Sequence, residues 1–166
     1  SALPDLVSFA NVIHQTGPKL FKEVAALAKV ALANSRYAER YHPFDYLTET
    51  ALQRAAGAAD LVVSRAGAGA IAEISLWKKP ARLFPIPEAV IHEQRTNAFS
   101  YARTGAAVVL EEENLSPHIL ASEARRITSN PALAKQMGES AAGFTDPDAA
   151  RIIAGEALTI ALSHES

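Results

Sequence analysis

Between Asp60 and Trp77 the chain changes character twice within a few residues. Asp60-Leu61-Val62-Val63 reads as a buried strand, Ser64-Arg65-Ala66-Gly67-Ala68 as a turn of small residues, and Gly69 to Trp77 as a helix. A strand feeding a helix through so short a turn is the building unit of a parallel α/β sheet, which narrows the possible folds more than any other segment. The same turn has a chemistry. A helix start offers unpaired N–H groups and a partial positive charge, so it attracts phosphate. Gly67 and Gly69 allow an anion to come close to the backbone. Glu73 lies one helical turn further on, where a carboxylate can take two ribose hydroxyls. An ordinary Gly/Ala-rich β–α turn accounts for these residues equally well.

The rest of the chain repeats the alternation. Asn11–His14 is a short strand candidate closed by Thr16-Gly17-Pro18, and Lys19 to Asn34 is helical, with Leu20, Val24, Leu27, Val30 and Ala31 recurring at three to four residues. Tyr37–Phe44 holds a strand that ends near Pro43, and Thr48–Ala59 is an Ala-rich helix. Leu61–Ser64 is nearly all apolar, as expected when helices cover both faces of a parallel sheet. Lys78-Lys79-Pro80 stops the following helix, and Ala81–Phe84 is the next strand. Pro85-Ile86-Pro87 is a stiff loop before helix His92–Arg103, which Gly105 ends. Ala106–Leu110 is the last strand, followed by acidic Glu111–Glu113, read as a solvated loop. Three helices close the chain: Ser116–Thr128, Pro131–Ala142 and Pro147–Leu162. Their cap signals are Ser116-Pro117, Asn130-Pro131 and Asp146-Pro147, each with Pro at the first helical position. Trp77 and Phe84 are expected in the core, and the apolar Leu158–Leu162 end as a packed helix rather than a membrane anchor.

These elements predict a single doubly wound α/β domain with a Rossmann-like parallel sheet over residues 1–166. Ligands of such sheets bind at the carboxyl ends of the strands. His14, Ser64–Gly69, Pro85–Pro87 and the start of the His92 helix all fall there.

Several chemistries are excluded. The net charge of −2, with scattered Lys and Arg, argues against a nucleic-acid groove. The absence of cysteine removes disulfides, thiolate catalysis and Cys-based metal sites. No apolar run approaches the roughly 20 residues of a membrane span. His92-Glu93 is not a zincin motif, because position 96 is Thr. Ser64 lacks the Gly-x-Ser-x-Gly surround of a nucleophile elbow. His42, His118 and His164 have no ligand-like partners at useful spacing and are expected on the surface. His14 can face the cleft or be a hydrogen-bonded structural histidine.

Taken in order, His14-Gln15-Thr16-Gly17, Ala59 to Glu73, Lys79-Pro80, Pro85-Ile86-Pro87 and Glu93-Gln94-Arg95-Thr96-Asn97-Ala98 resemble the carboxy-terminal, donor-binding domain of the MurG-type transferases. These are family 28 glycosyltransferases of the two-domain GT-B architecture. The resemblance runs from about Leu3 to the end, and the Ser64–Glu73 segment with Gln94 and Asn97 is its specific part.

The resemblance implies transfer of N-acetylglucosamine from UDP-N-acetylglucosamine to the lipid-linked muramoyl-pentapeptide of peptidoglycan synthesis, by direct inverting displacement. It implies that Glu73 holds the ribose hydroxyls of UDP, that the backbone of Gly67, Ala68 and Gly69 cradles the diphosphate, and that Gln94 reaches the hexose with Asn97 beside it. Leu47 corresponds to the position whose backbone contacts uracil. Arg65 belongs to the motif, as a donor contact or as a brace for the loop. No metal or other cofactor is expected, since no Asp-x-Asp pair is present and amides at a helix start can stabilise the leaving diphosphate.

Two departures are informative. The family has His before the hexose-segment glutamine where this chain has Glu93, which weakens the reading of sugar selectivity. The family's domain also opens with a strand and a Gly-Gly-Ser-type loop, and nothing like it precedes Leu3; Leu3–Phe9 matches the end of the following helix. That strand would be central in a 3-2-1-4-5-6 sheet. The expectation is therefore a fragment without its first strand and without the amino-terminal acceptor domain, which would carry the general base. Such a fragment binds donor without turning over and contains no catalytic residue. Its partners would be UDP-N-acetylglucosamine and the missing domain or a partner chain, and the full enzyme would sit in the cytoplasm at the inner face of the plasma membrane. Two other readings are a donor subunit of a split transferase for another lipid-linked or polysaccharide acceptor, and a non-catalytic nucleotide-binding module.

Overall fold

The computed structural model describes residues 1–87, 89–90 and 92–163, with the His92 side chain left out; His164, read above as a surface residue, lies outside the described residues. The elements run α1 (Leu3–Val7), β1 (Val12–Gln15), α2 (Phe21–Ala31), β2 (Tyr41–Phe44), α3 (Glu49–Ala58), β3 (Val62–Ser64), α4 (Ala68–Trp77), β4 (Ala81–Leu83), α5 (His92–Ala102), β5 (Ala107–Val109), α6 (Pro117–Thr128), α7 (Pro131–Ala141) and α8 (Ala149–Ser163). The strict alternation up to β5 is the expected α/β architecture, and every strand pair is parallel.

The pairing falls into two sheets. β1 pairs with β2, Val12 opposite Tyr41, and β3–β4–β5 form a second sheet with Val62 opposite Ala81 and Ala81 opposite Ala107. β1 and β3 are not hydrogen-bonded to each other, so each leaves one edge unpaired among the described residues. Apolar residues on those strands stay in solvent: Ile13 is 47% exposed and Val63 50%. In β4, flanked on both sides, all three residues are buried.

The core lies in the second sheet. Leu83 and Ala81 of β4 pack with Ile71 and Ile74 of α4, Ala98 and Tyr101 of α5, and Ala141 of α7. Phe84 is buried and Trp77 packs against this cluster, as the sequence implied. Two interactions tie α7 to α4: Ser75 Oγ donates to the Ala141 carbonyl at 2.9 Å, and Gly138 lies so close to Lys78 that a Cβ there would sit 2.6 Å from the Lys78 carbonyl oxygen. Gly105, at φ +88°, ends α5 in a conformation other residues adopt only with strain.

Capping follows the sequence for two of the three closing helices. Ser116 accepts from the Ile119 N–H and Asn130 from the Leu133 N–H, with Pro117 and Pro131 at the first helical positions. The third differs. Asp146 Oδ1 accepts from the Asp148 N–H, which makes a turn of residues 146–148, and α8 begins only at Ala149. The Leu158–Leu162 segment is helical but not packed: α8 has no buried residue, and Ile153, Leu158, Ile160 and Leu162 are all exposed. No helix among the described residues is long and apolar enough to cross a membrane.

Candidate functional site

The β3–α4 turn sits at the carboxyl edge of the larger sheet. Gly67 is the N-cap of α4 and supplies no side-chain cap, in contrast to Thr48, Ser116 and Asn130 at other helix starts. The first helical bond runs from the Ile71 N–H to the Gly67 carbonyl, so the N–H groups of Ala68, Gly69 and Ala70 have no partner among the described residues. The two glycines are not needed by the fold. Gly67 has an ordinary φ of −65°, neither glycine has a positive φ, and a Cβ at either would meet nothing within 4 Å. Gly69 lies inside the first turn of α4, where glycine is about 1 kcal/mol worse than alanine. Neither conformation nor internal packing therefore requires glycine at these two positions, and the backbone there is open to close approach.

Glu73 is exposed and makes no hydrogen bond or ion pair among the described residues. It lies four residues after Gly69, on the same helix face, so its carboxylate shares a side of α4 with the open turn. Gln94, on the first turns of α5, uses Oε1 to accept the Ile86 N–H at 3.1 Å. That bond holds the Pro85–Pro87 loop and leaves the Gln94 amide nitrogen available. Asn97, half-buried three residues later, falls on the same face of α5. Arg65 braces the turn: Nη1 donates to the Phe84 carbonyl at 3.3 Å and meets Glu112 Oε2 at 3.4 Å.

Two further site residues belong to the smaller sheet. The Leu47 N–H donates to Gln15 Oε1 at 2.8 Å, which fixes the β2–α3 loop against the end of β1. His14 Nδ1 lies 2.8 Å from the Tyr41 hydroxyl, and partial burial of the ring lowers its pKa below 6.5. Because Tyr41 is opposite Val12, the His14 ring is engaged toward the amino end of β2, in the hydrogen-bonded structural arrangement. No hydrogen bond links His14, Gln15 or Leu47 to Arg65, Gly67–Gly69, Glu73 or Gln94 among the described residues.

Sequence reasoning passed over Gln15, Arg95, Glu111 and Glu112. Arg95 Nε donates to Glu111 Oε1 at 2.7 Å, so the acidic run after β5 is ion-paired rather than merely solvated. Alternating charge across separate elements leaves no local signal; for Gln15 the one available signal is its place beside His14 at a strand end. No group of three or more potential metal ligands occurs among the described residues.

The model of the glycosyltransferase family 28 C-terminal domain matches residues 2–153. A UDP-N-acetylglucosamine–N-acetylmuramyl-(pentapeptide) pyrophosphoryl-undecaprenol N-acetylglucosamine transferase of Geobacter metallireducens is 36% identical over 158 residues, covering 95% of this chain and 41% of that protein. A protein of the same name from Anaeromyxobacter is also 36% identical, over 92% of this chain and 38% of its own length. The chain thus spans about 40% of the length of the curated relatives it matches. Among solved structures, Acinetobacter baumannii MurG superposes with a TM-score of 0.73 at 24% identity, over 91% of this chain and 42% of its own. The glycosyltransferase VinC, solved with dTDP, gives 0.61 at 20% identity, over 83% of this chain and 33% of its own. At those identities both likenesses speak for the fold.

Proposed function

Since the chain belongs to the family of glycosyltransferase family 28 C-terminal domains, we propose that it is the donor-binding part of an inverting hexosyltransferase. The donor is UDP-N-acetylglucosamine and the acceptor a lipid-linked muramoyl-pentapeptide of peptidoglycan synthesis, as in the names of its relatives. The observation that carries this reading is the α4 start, where N–H groups without a partner among the described residues meet two glycines that neither the backbone nor the packing requires. In this reading the amides of Ala68, Gly69 and Ala70 hold the diphosphate and stabilise the charge that grows on it as the sugar leaves. Glu73 takes the ribose hydroxyls, Gln94 directs its amide nitrogen at the hexose, and Asn97 sits beside it. Gln15, by holding the Leu47 N–H, positions the segment assigned to uracil and leaves the Leu47 carbonyl for the base. Arg65 braces the turn through the Phe84 carbonyl and Glu112.

The acceptor site and the general base belong to a part of the protein outside residues 1–166. We also infer that a further strand joins β1 to β3. Two observations support it: β1 and β3 each leave an edge unpaired among the described residues, and Ile13 and Val63 on those strands are exposed. A preceding segment of the same protein or a partner chain can supply that strand, and the second source is the split-transferase reading. A lipid-linked acceptor brings the whole enzyme to a membrane surface, and in this reading that surface is the inner face of the plasma membrane.

Calorimetric titration with UDP-N-acetylglucosamine, UDP and UDP-glucose tests the reading. Binding that prefers the N-acetylglucosamine donor and is lost in Glu73→Ala is expected. Equal affinity for all three ligands points to a nucleotide-binding module without sugar recognition. No binding by the folded chain, nor by one extended to include the joining strand, overturns the assignment.

A further inference from the structure

Exposed ion pairs on this surface are mostly local. Lys135–Glu139, Arg151–Asp148 and Arg126–Glu123 each lie within about one turn of a single helix. Two pairs at the carboxyl edge of the larger sheet are different. Arg65, at the end of β3, reaches past the end of β4 to Glu112 beyond β5. Arg95, on α5, reaches Glu111. Adjacent carboxylates therefore gather two guanidinium groups from two elements. The gathering point is the same sheet edge as the uncapped start of α4.

The pairs are built to exchange. The Arg65 and Arg95 side chains are 51% and 48% exposed, and ion pairs in such surroundings have little net stability. Arg95 also lies over the Phe99 ring, 5.1 Å from its centroid, which orients the guanidinium without using its charge. A carboxylate offers guanidinium the same planar pair of acceptor oxygens that a phosphate does.

We propose that Arg95 is an anion-binding residue of the donor site, masked by Glu111 as Arg65 is by Glu112, and that the donor's diphosphate displaces both carboxylates. The proposal deepens the donor-binding reading above and rests on it. Glu111 and Glu112 then act as internal competitors of the phosphates and set the donor affinity, while Arg95 adds a contact specific to the charged part of the nucleotide.

Titration of the 166-residue chain with UDP and with uridine tests it. Removing both carboxylates in Glu111→Gln/Glu112→Gln is expected to tighten UDP about fivefold and to leave uridine unchanged, since uridine has no phosphate. Arg95→Gln is expected to weaken UDP by about the same factor, again without effect on uridine, and to abolish the gain when added to the double variant. UDP binding that is unchanged or weaker in the double variant overturns the proposal, because a purely structural strap predicts that outcome; the donor reading then stands. A double variant that melts early is replaced by Glu111→Gln alone, for which the same tightening or its absence decides. If the unaltered chain binds neither UDP nor uridine, the same titrations are made on the chain extended to include the joining strand, and failure there as well takes the donor reading down together with the proposal.

Discussion

The two sheets of this chain are built from the same kind of parallel strand and meet water very differently. β4 reads Ala-Arg-Leu and is buried throughout, even at the arginine. β1 reads Val-Ile-His-Gln and exposes all but its first residue. Apolar content does not explain the contrast, since Val-Ile and Val-Val occur on the exposed strands. Neighbours do. β4 has a strand on each side and α4, α5, α6 and α7 about it, while β1 has one strand and an open edge. A parallel strand is dry only when both edges and both faces are occupied. The larger sheet thus carries a complete core, and the smaller sheet borrows what burial it has from scattered residues such as Ala28, Leu32 and Leu47.

The largest expected effect tests that contrast directly. Leu83 is fully buried at the centre of the core, and Leu83→Ala is expected to cost ~2–5 kcal/mol in urea unfolding followed by circular dichroism. A loss below ~1 kcal/mol would mean that the larger sheet is no better packed than the smaller one.

Next comes the charge inside the larger sheet. Arg82 is 3% exposed on β4, Nη1 donates to Glu123 Oε2 at 3.1 Å, and Nε is buried without a hydrogen-bond partner among the described residues. Glu123 also accepts from Arg126, so one carboxylate serves two arginines. Glu123→Gln leaves the buried guanidinium without its counter-charge. Its expected cost is ~2–3 kcal/mol, below the range for a dry pair because Glu123 keeps some contact with water. Arg82→Met removes the charge along with the need for it and is expected to be milder. If the two variants cost the same, the pair is ordinary packing.

What the sequence disclosed and what it hid divide along the same line. Local features are legible: the β3 turn and α4, the Ser116 and Asn130 caps, and Gly105 as a stop all depend on residues within a turn of each other. Long-range partners are not. Nothing local in Ala81–Phe84 announces that Arg82 pairs with a carboxylate 41 positions away. Nothing in Glu111–Glu113 shows that two of its carboxylates face arginines from β3 and α5. That β1 and β3 are not paired has no local signal either, because strand order is invisible to periodicity. Asp146-Pro147 misled for a physical reason: Asp146 can satisfy the Asp148 N–H in a free turn as readily as cap a helix, and the chain takes the turn.

Acid separates the two sheets. Partial burial lowers the His14 pKa below 6.5, so the folded smaller sheet prefers the neutral ring. Its contribution is present above about pH 6.5 and is lost as pH falls through the lowered folded value. Hydrogen bonding from Arg126 does most to lower the Glu123 pKa below 4.5, with the charges of Arg126 and Arg82 adding to it. That contribution is present above about pH 4.5 and is lost only below it. On stepwise acidification, amide exchange is expected to quicken first in β1 and β2, and in β4 only in the lower range. Simultaneous loss would show that the two sheets unfold as one cooperative unit.

The smallest effect is expected at Ile13, and there the comparison is sharpest. Ile13 is apolar, lies on a strand, and is 47% exposed beside an unpaired edge. Ile13→Thr keeps β-branching and strand propensity and removes apolar surface that is half in water already. In the 166-residue chain it is expected to change stability by no more than ~0.5 kcal/mol. In a form of the protein that pairs the second edge of β1, the same side chain would be enclosed, and the cost should rise to ~1–2 kcal/mol. A difference between the two contexts locates the joining strand at β1 without any structure of the longer form. Equal costs in both would place the joining contact elsewhere, and would mean that exposure of β1 is a property of the sheet itself.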